Sequence, residues 1–140
     1  MNQTAKSLET TGTTAAITGG FSHLPSAGRR MPVSTYRLQL GPKLTFDQAI
    51  EQLPYLDDLG VTDLYLSPIL QAAPGSTHGY DVVDHSQISD MMGGRAAFER
   101  LATAAHARRM GVFVDVVPNH MGVPTPIYHN KALWSVLKDG

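Results

Sequence analysis

The sequence predicts an α/β fold: the first part of a (β/α)8 barrel, with about three strands and two to three helices, behind a disordered amino-terminal tail. Three observations predict it. Strand-like and helix-like periods alternate along the chain from Pro32 onward. Capping and glycine signals stand at the junctions. The polar clusters fall where the second and third predicted strands end, the place where a barrel carries its chemistry.

Residues 1–30 differ from the rest. The stretch TTGTTAAITGG is small, polar and aperiodic, and the segment ends in SAGRR. Such composition cannot bury enough apolar surface to repay ordering, so a disordered tail is expected. VSTYRLQL (33–40) then alternates and is rich in β-branched and aromatic residues, the mark of a strand. Thr45 and Gln48 form a T-x-x-Q capping box. Phe46, Ala49, Ile50, Leu53 and Leu56 follow at helical spacing, with Pro54 expected to kink or tighten the helix and Gly60 to end it. VTDLYLS (61–67) is nearly continuous in apolar character, as buried parallel strands are. Residues 68–94 read as a long loop marked by Gly and Pro. A second helix is expected over 95–110, with Phe98, Leu101, Ala102 and Ala105 inward and Gly111 closing it. VFVDVV (112–117) is the third and most apolar strand, and residues 134–137 start another helix.

Strand, helix, strand, helix, strand implies βαβ units and a parallel sheet. A doubly wound nucleotide-binding fold needs a glycine-rich turn after its first strand. The turn here is GPKLTF, with one glycine, so the barrel is the better fit. A whole barrel takes about 250 residues. Residues 31–140 suffice for a small open α/β domain or for the beginning of something larger.

Composition narrows the function. The chain has 140 residues, 42% of them hydrophobic, with 11 basic and 12 acidic residues and a net charge of -1. That balance offers no basic surface for nucleic acid or an anionic membrane. The absence of cysteine excludes disulfides and thiolate zinc sites. No apolar run reaches the ~18 residues of a membrane span. A soluble, cytoplasmic protein is expected.

Two clusters carry the chemistry. In DVVPNH (115–120), Asp115 interrupts an apolar strand, which is costly unless the carboxylate is hydrogen-bonded or paired. It is either a buried structural aspartate or a site carboxylate. Asn119 and His120 follow where the strand leaves the sheet and can aim an amide and an imidazole at one point. In HGYDVVDH (78–85), Tyr80 beside Gly79 offers a ring face, and Asp81 offers an acceptor. Sugars need that pair, because their C–H faces stack and their hydroxyls hydrogen-bond. A solvated loop and a metal site built on His78, His85, His120, Asp81 and Asp115 are the other readings. The spacings match no zinc pattern. Asp81, Asp84 and Asp115 could approach as a carboxylate pair, but nothing in the spacing makes one a nucleophile and another an acid.

DVVPNH resembles the first conserved region of the α-amylase family of glycoside hydrolases, and HGYDVVDH resembles that family's tyrosine-containing motif. STYRLQL, YLSPILQAAPGSTHGYDVVDH, PNHMGVPTP and LWSVLKDG resemble the amino-terminal part of the family's trehalose-forming branch, over residues 31–140. The resemblance implies a cytoplasmic enzyme acting on maltooligosaccharides without a cofactor. It would convert the reducing-end α-1,4 link to an α,α-1,1 link through a covalent glycosyl-enzyme. It implies that Tyr80 stacks on the sugar, that Asp81 and His120 hydrogen-bond its hydroxyls, that Asp115 supports the site and that Asn119 fixes the loop. His78, Asp84 and His85 are expected to brace it. The Asn119 position binds calcium in some members of the family; no required metal is expected here. The family's nucleophile, general acid and further aspartate follow the fourth, fifth and seventh strands. The chain therefore lacks a complete catalytic set, and the rest of the barrel is its expected partner. Another glycosidase or transglycosylase of the family, and a non-catalytic maltodextrin-binding fragment, are the alternatives.

Overall fold

The computed structural model describes residues 31–140, a unit of its own. The expected disordered tail lies in residues 1–30, outside the described residues.

The first strand, β1 (Thr35–Leu38), leads into helix α1 (Phe46–Asp58). The helix starts at the predicted capping box: Thr45 N–H donates to Gln48 Oε1 at 2.9 Å, and Gln48 N–H donates to Thr45 Oγ1 at 3.4 Å. It runs uninterrupted through Pro54 and is closed at Gly60, where Val61 N–H reaches back to Leu56 O at 2.9 Å. Four of the five predicted inward residues are buried, and Ile50 packs at the margin. Strand β2 (Asp63–Leu66) follows.

The expected loop over 68–94 needs correcting. It contains strands β3 (Leu70–Ala72) and β4 (Val82–Ile88), paired antiparallel with register shifts. The signal was present in the β-branched Val82, Val83 and Ile88, but the intervening Asp-His-Ser-Gln hid it. Helix α2 (Gly94–Ala107) buries the predicted Leu101 and Ala105 together with Ala97, while Ala102 is only half-buried. Phe98 still reaches inward, edge-on to Phe46 with ring centroids 5.6 Å apart. Gly111 does not close this helix. Arg109 takes the left-handed position (φ 61), Met110 N–H bonds Ala105 O at 3.0 Å, and Gly111 begins β5 (Gly111–Val114). Asn130 then caps α3 (Lys131–Asp139) by accepting from Leu133 N–H at 3.0 Å.

Strands β1, β2 and β5 form the expected parallel sheet, in the order β1-β2-β5. Strand alternation gives the sheet two faces. Leu38, Leu64 and Leu66 face the helices and join Phe46, Leu53, Leu56, Leu101 and Met110 in one core, with Val112 and Val114 at its edge. Burying each such leucine contributes about 1.5–3 kcal/mol. The alternate residues Arg37, Tyr65 and Phe113 stand in register on the other face. Central β2 is almost wholly buried. β5, the most apolar strand by sequence, is only half-buried because it lies at an edge. β5 also ends at Val114, so Asp115 is the first residue beyond the strand rather than its middle.

Candidate functional site

The carboxyl ends of β1, β2 and β5 converge, with the segment after β2, on one hydrogen-bonded cluster. Asp115 is placed by its own N–H, which continues the sheet by donating to Leu66 O at 2.9 Å. Its side chain points to the face that carries Arg37 and Tyr65. Asp115 Oδ2 accepts two phenol protons, from Tyr80 at 2.6 Å and from Tyr65 at 3.1 Å. The half-buried aspartate is thus paired. Its bond to Tyr65 is the first cause holding that phenol above the usual tyrosine range, followed by burial. Arg37 completes the cluster. Its Nη2 donates to the Tyr80 hydroxyl at 3.3 Å, and its guanidinium sits 5.7 Å from the centre of the Tyr65 ring. The Tyr80 bond is the leading reason its pKa is raised.

Tyr80 lies on the turn between β3 and β4, and that turn is tightly organised. Gly79 takes φ 80, and a Cβ there would lie 2.9 Å from Pro68 O, so glycine lets the turn fold onto the end of β2. Ser76, which is buried, accepts from Gly79 N–H at 3.1 Å and donates to Asp81 Oδ1 in a short contact. Asp81 Oδ1 also lies 3.8 Å from His78 Nδ1. Tyr80 N–H donates to that same Nδ1 at 3.0 Å, so the Nε2–H tautomer of His78 fits the turn. The His78 ring stacks on Tyr80 at 6.0 Å. Asp81 Oδ2 accepts no hydrogen bond among the described residues.

The segment after β5 closes on this turn. Gly122 N–H donates to Val82 O at 2.7 Å, and a Cβ on Gly122 would stand 2.7 Å from Asp81 O. Buried Asn130 secures the approach by donating to Gly122 O at 2.9 Å. His120 Nε2 reaches Tyr80 O at 3.2 Å, and its Nδ1 meets Asn119 Oδ1 at 3.0 Å. His85 Nε2 lies 2.9 Å from Val117 O and ties β4 to the exit of β5.

Asp84 sits on β4, apart from the Tyr80–Asp115 cluster. It accepts from the Ser86 hydroxyl at 2.6 Å and from Ser86 N–H at 2.8 Å. These bonds, the hydroxyl first, hold its carboxyl below the usual range. A depressed folded-state pKa gives stability that is present above the ordinary ~3.9 and fades as pH falls through the lower folded value. Asp84→Asn is therefore expected to lower the Tm of the complete polypeptide at neutral pH, with the gap closing in acid. Calorimetry between pH 7 and pH 3 checks this. A gap of constant size would mean that the charge on Asp84 adds nothing to its bonds with Ser86.

Sequence reasoning missed Arg37, Tyr65 and Ser76. The first two carried a signal. Arg37 alternates with Tyr36 and Leu38, and Tyr65 with Leu64 and Leu66, so both belong to the face that does not meet the helices. Ser76 carried none beyond its place in a turn. The donor set for a calcium ion is poor. The Asn119 side chain is engaged with His120, and no group of three His, Cys, Asp or Glu side chains converges among the described residues.

What this arrangement can do is present a ring face, a carboxylate oxygen and an imidazole along one wall. Residues 45–133 match the family described as "Alpha amylase, catalytic domain". The chain is 51% identical over 113 residues to a putative maltooligosyl trehalose synthase of Mycobacterium tuberculosis (strain H37Rv), covering 77% of this chain and 15% of that protein. It superposes on maltooligosyltrehalose synthase from Arthrobacter ramosus with a TM-score of 0.75 at 51% identity, covering 78% of this chain and 14% of that one. An α-amylase from Geobacillus thermoleovorans, complexed with acarbose, gives a TM-score of 0.62 at 26% identity, covering 73% and 26%. The chain thus spans about 15% of the length of the maltooligosyl trehalose synthases of Mycobacterium tuberculosis to which it is similar. Its three parallel strands and their helices are the opening part of a (β/α)8 barrel. The chain belongs to the α-amylase catalytic-domain family.

Proposed function

We propose that this chain is the amino-terminal portion of a maltooligosyl trehalose synthase. The complete enzyme would convert the reducing-end α-1,4 link of a maltodextrin to an α,α-1,1 link. In that reaction the terminal α-1,4 bond breaks, the shortened chain is held as a glycosyl-enzyme, and the released glucose turns so that its C1 hydroxyl takes up the chain. The nucleophile and general acid would come from strands beyond these. This portion would supply one wall of the sugar subsite. Tyr80 would stack on the ring, Asp81 and His120 would hydrogen-bond its hydroxyls, Asp115 would support the wall and Asn119 would fix the loop. His78, Asp84 and His85 would brace the loop, Asp84 through its bonds to Ser86 on β4. The maltooligosaccharide is the substrate, and the remainder of the barrel is the partner that covers β1 and β5. No helix among the described residues is long and apolar enough to cross a membrane; we place the enzyme in the cytoplasm, where the absence of cysteine causes no difficulty.

The observation that best supports the reading is the 51% identity to trehalose-forming relatives over 77% of the chain. The test is product analysis with the complete polypeptide and maltopentaose. Reducing ends should disappear without release of free glucose as the main product. A rise in reducing ends would make it a hydrolase instead. Binding with no conversion by the complete polypeptide would favour a maltodextrin-binding role.

A further inference from the structure

The structure assigns to Arg37 the role of a positioning residue that holds the Tyr80 ring flat against the sugar site. The inference rests on the reading of Tyr80 as a sugar platform and adds the residue that fixes it.

The Tyr80 hydroxyl is occupied on both sides. Its proton goes to Asp115 Oδ2 at 2.6 Å, and its oxygen receives Arg37 Nη2 at 3.3 Å. A phenol has one proton to give. Tyr80 therefore has no donor left for a sugar hydroxyl and offers its ring face instead. Arg37 is itself held. Its Nη1 donates to Gln39 Oε1 at 2.9 Å, and its guanidinium lies 5.7 Å from the Tyr65 ring centre. Gln39 in turn donates through Nε2 to His78 O at 3.3 Å. Arg37 near the carboxyl end of β1 and Gln39 just beyond it thus grip the Tyr80 turn at two points, the hydroxyl and the backbone two residues earlier. Asp115 alone would leave the phenol free to rotate about one bond. With Arg37 opposite, the oxygen is fixed from two directions. Chained hydrogen bonds of this kind strengthen one another. Lysine cannot replace the planar fork, because it reaches one partner as a point charge.

The test is a double-mutant cycle in the complete polypeptide, with maltopentaose affinity read by calorimetry and folding checked by Tm. Arg37→Met and Tyr80→Phe should each weaken binding about fivefold to twentyfold, and the double variant should be no weaker than the worse single variant, as expected for coupled neighbours. Arg37→Lys should recover only part of the loss, and it serves in the cycle if Arg37→Met fails to fold. Losses that multiply in the double variant would show that Arg37 acts independently of the Tyr80 hydroxyl and would overturn the inference. So would full affinity in a folded Arg37→Met. Tyr80→Ala separates the two levels: if it binds normally, the sugar-platform reading fails; if it binds weakly while Arg37→Met binds normally, only the role of Arg37 is lost.

Discussion

The 140-residue chain, purified by itself, is expected to leave the reducing ends of maltopentaose intact. Two independent reasons lead there. Retaining chemistry on a glycosidic bond needs two carboxyl groups flanking it at about 5–5.5 Å. Among the described residues, the cluster centres on one carboxylate, Asp115, whose Oδ2 is already occupied by two phenol protons. The second reason is physical. β1 and β5 are edges of the parallel sheet, and unpaired edges invite aggregation. Helix α3 has no buried residue, and it exposes Trp134, Val136 and Leu137. Phe113, on the face opposite the helices, is 46% exposed. An apolar surface of that kind, with nothing packed on it, favours a compact state without fixed tertiary contacts. The expected signature is normal far-UV circular dichroism, a flat near-UV signal at Trp134 and binding of a hydrophobic dye. Steady consumption of reducing ends by the purified chain would sink the first expectation. A sharp near-UV spectrum with no dye binding would sink the second.

Tyr80→Ala in the complete polypeptide is expected to weaken maltopentaose binding by roughly 30- to 150-fold. A buried aromatic ring contributes about 150–250 Å² of surface. Covering one face of it at about 25 cal/mol per Å² is worth about 2–3 kcal/mol, which is that factor in affinity. The variant also strips Asp115 and Arg37 of their shared partner, so the loss should lie toward the upper end. Tyr80→Phe keeps the ring and should lose much less. Titration calorimetry with both variants checks the ordering. Equal losses would mean that the anchored hydroxyl, not the ring face, carries the contribution of Tyr80.

The elements of this fold were legible where local chemistry decides them. The Thr45–Gln48 box, the glycine at residue 60, the leucine spacing of α1 and the apolar run of β2 all depend on neighbours within a few residues. They appear in the structure as the sequence announces them. The hairpin β3–β4 was not legible, because strand pairing between 70–72 and 82–88 is decided by partners across a nine-residue turn, and its polar middle lacks a strand period. The end of α2 misled for a related reason. A left-handed closing residue is usually glycine, yet here Arg109 takes it, and Gly111 opens β5 two residues later.

The candidate site divides the same way. Sequence by itself determined that a tyrosine, an aspartate and a histidine would gather at strand ends, because a parallel sheet delivers every carboxyl end to one side. It could not tell which of them touch. Asp115 meets Tyr80 across 35 positions and Tyr65 across 50, and Arg37 meets Tyr80 across 43. Only the register of β1, β2 and β5 brings these groups within hydrogen-bond distance. That register is imposed by leucines on the opposite face, whose burial against α1 and α2 outweighs any single polar contact. The tertiary structure thus decided the partners of Tyr80, while the residue types present in the chain had already set which groups such a wall can present.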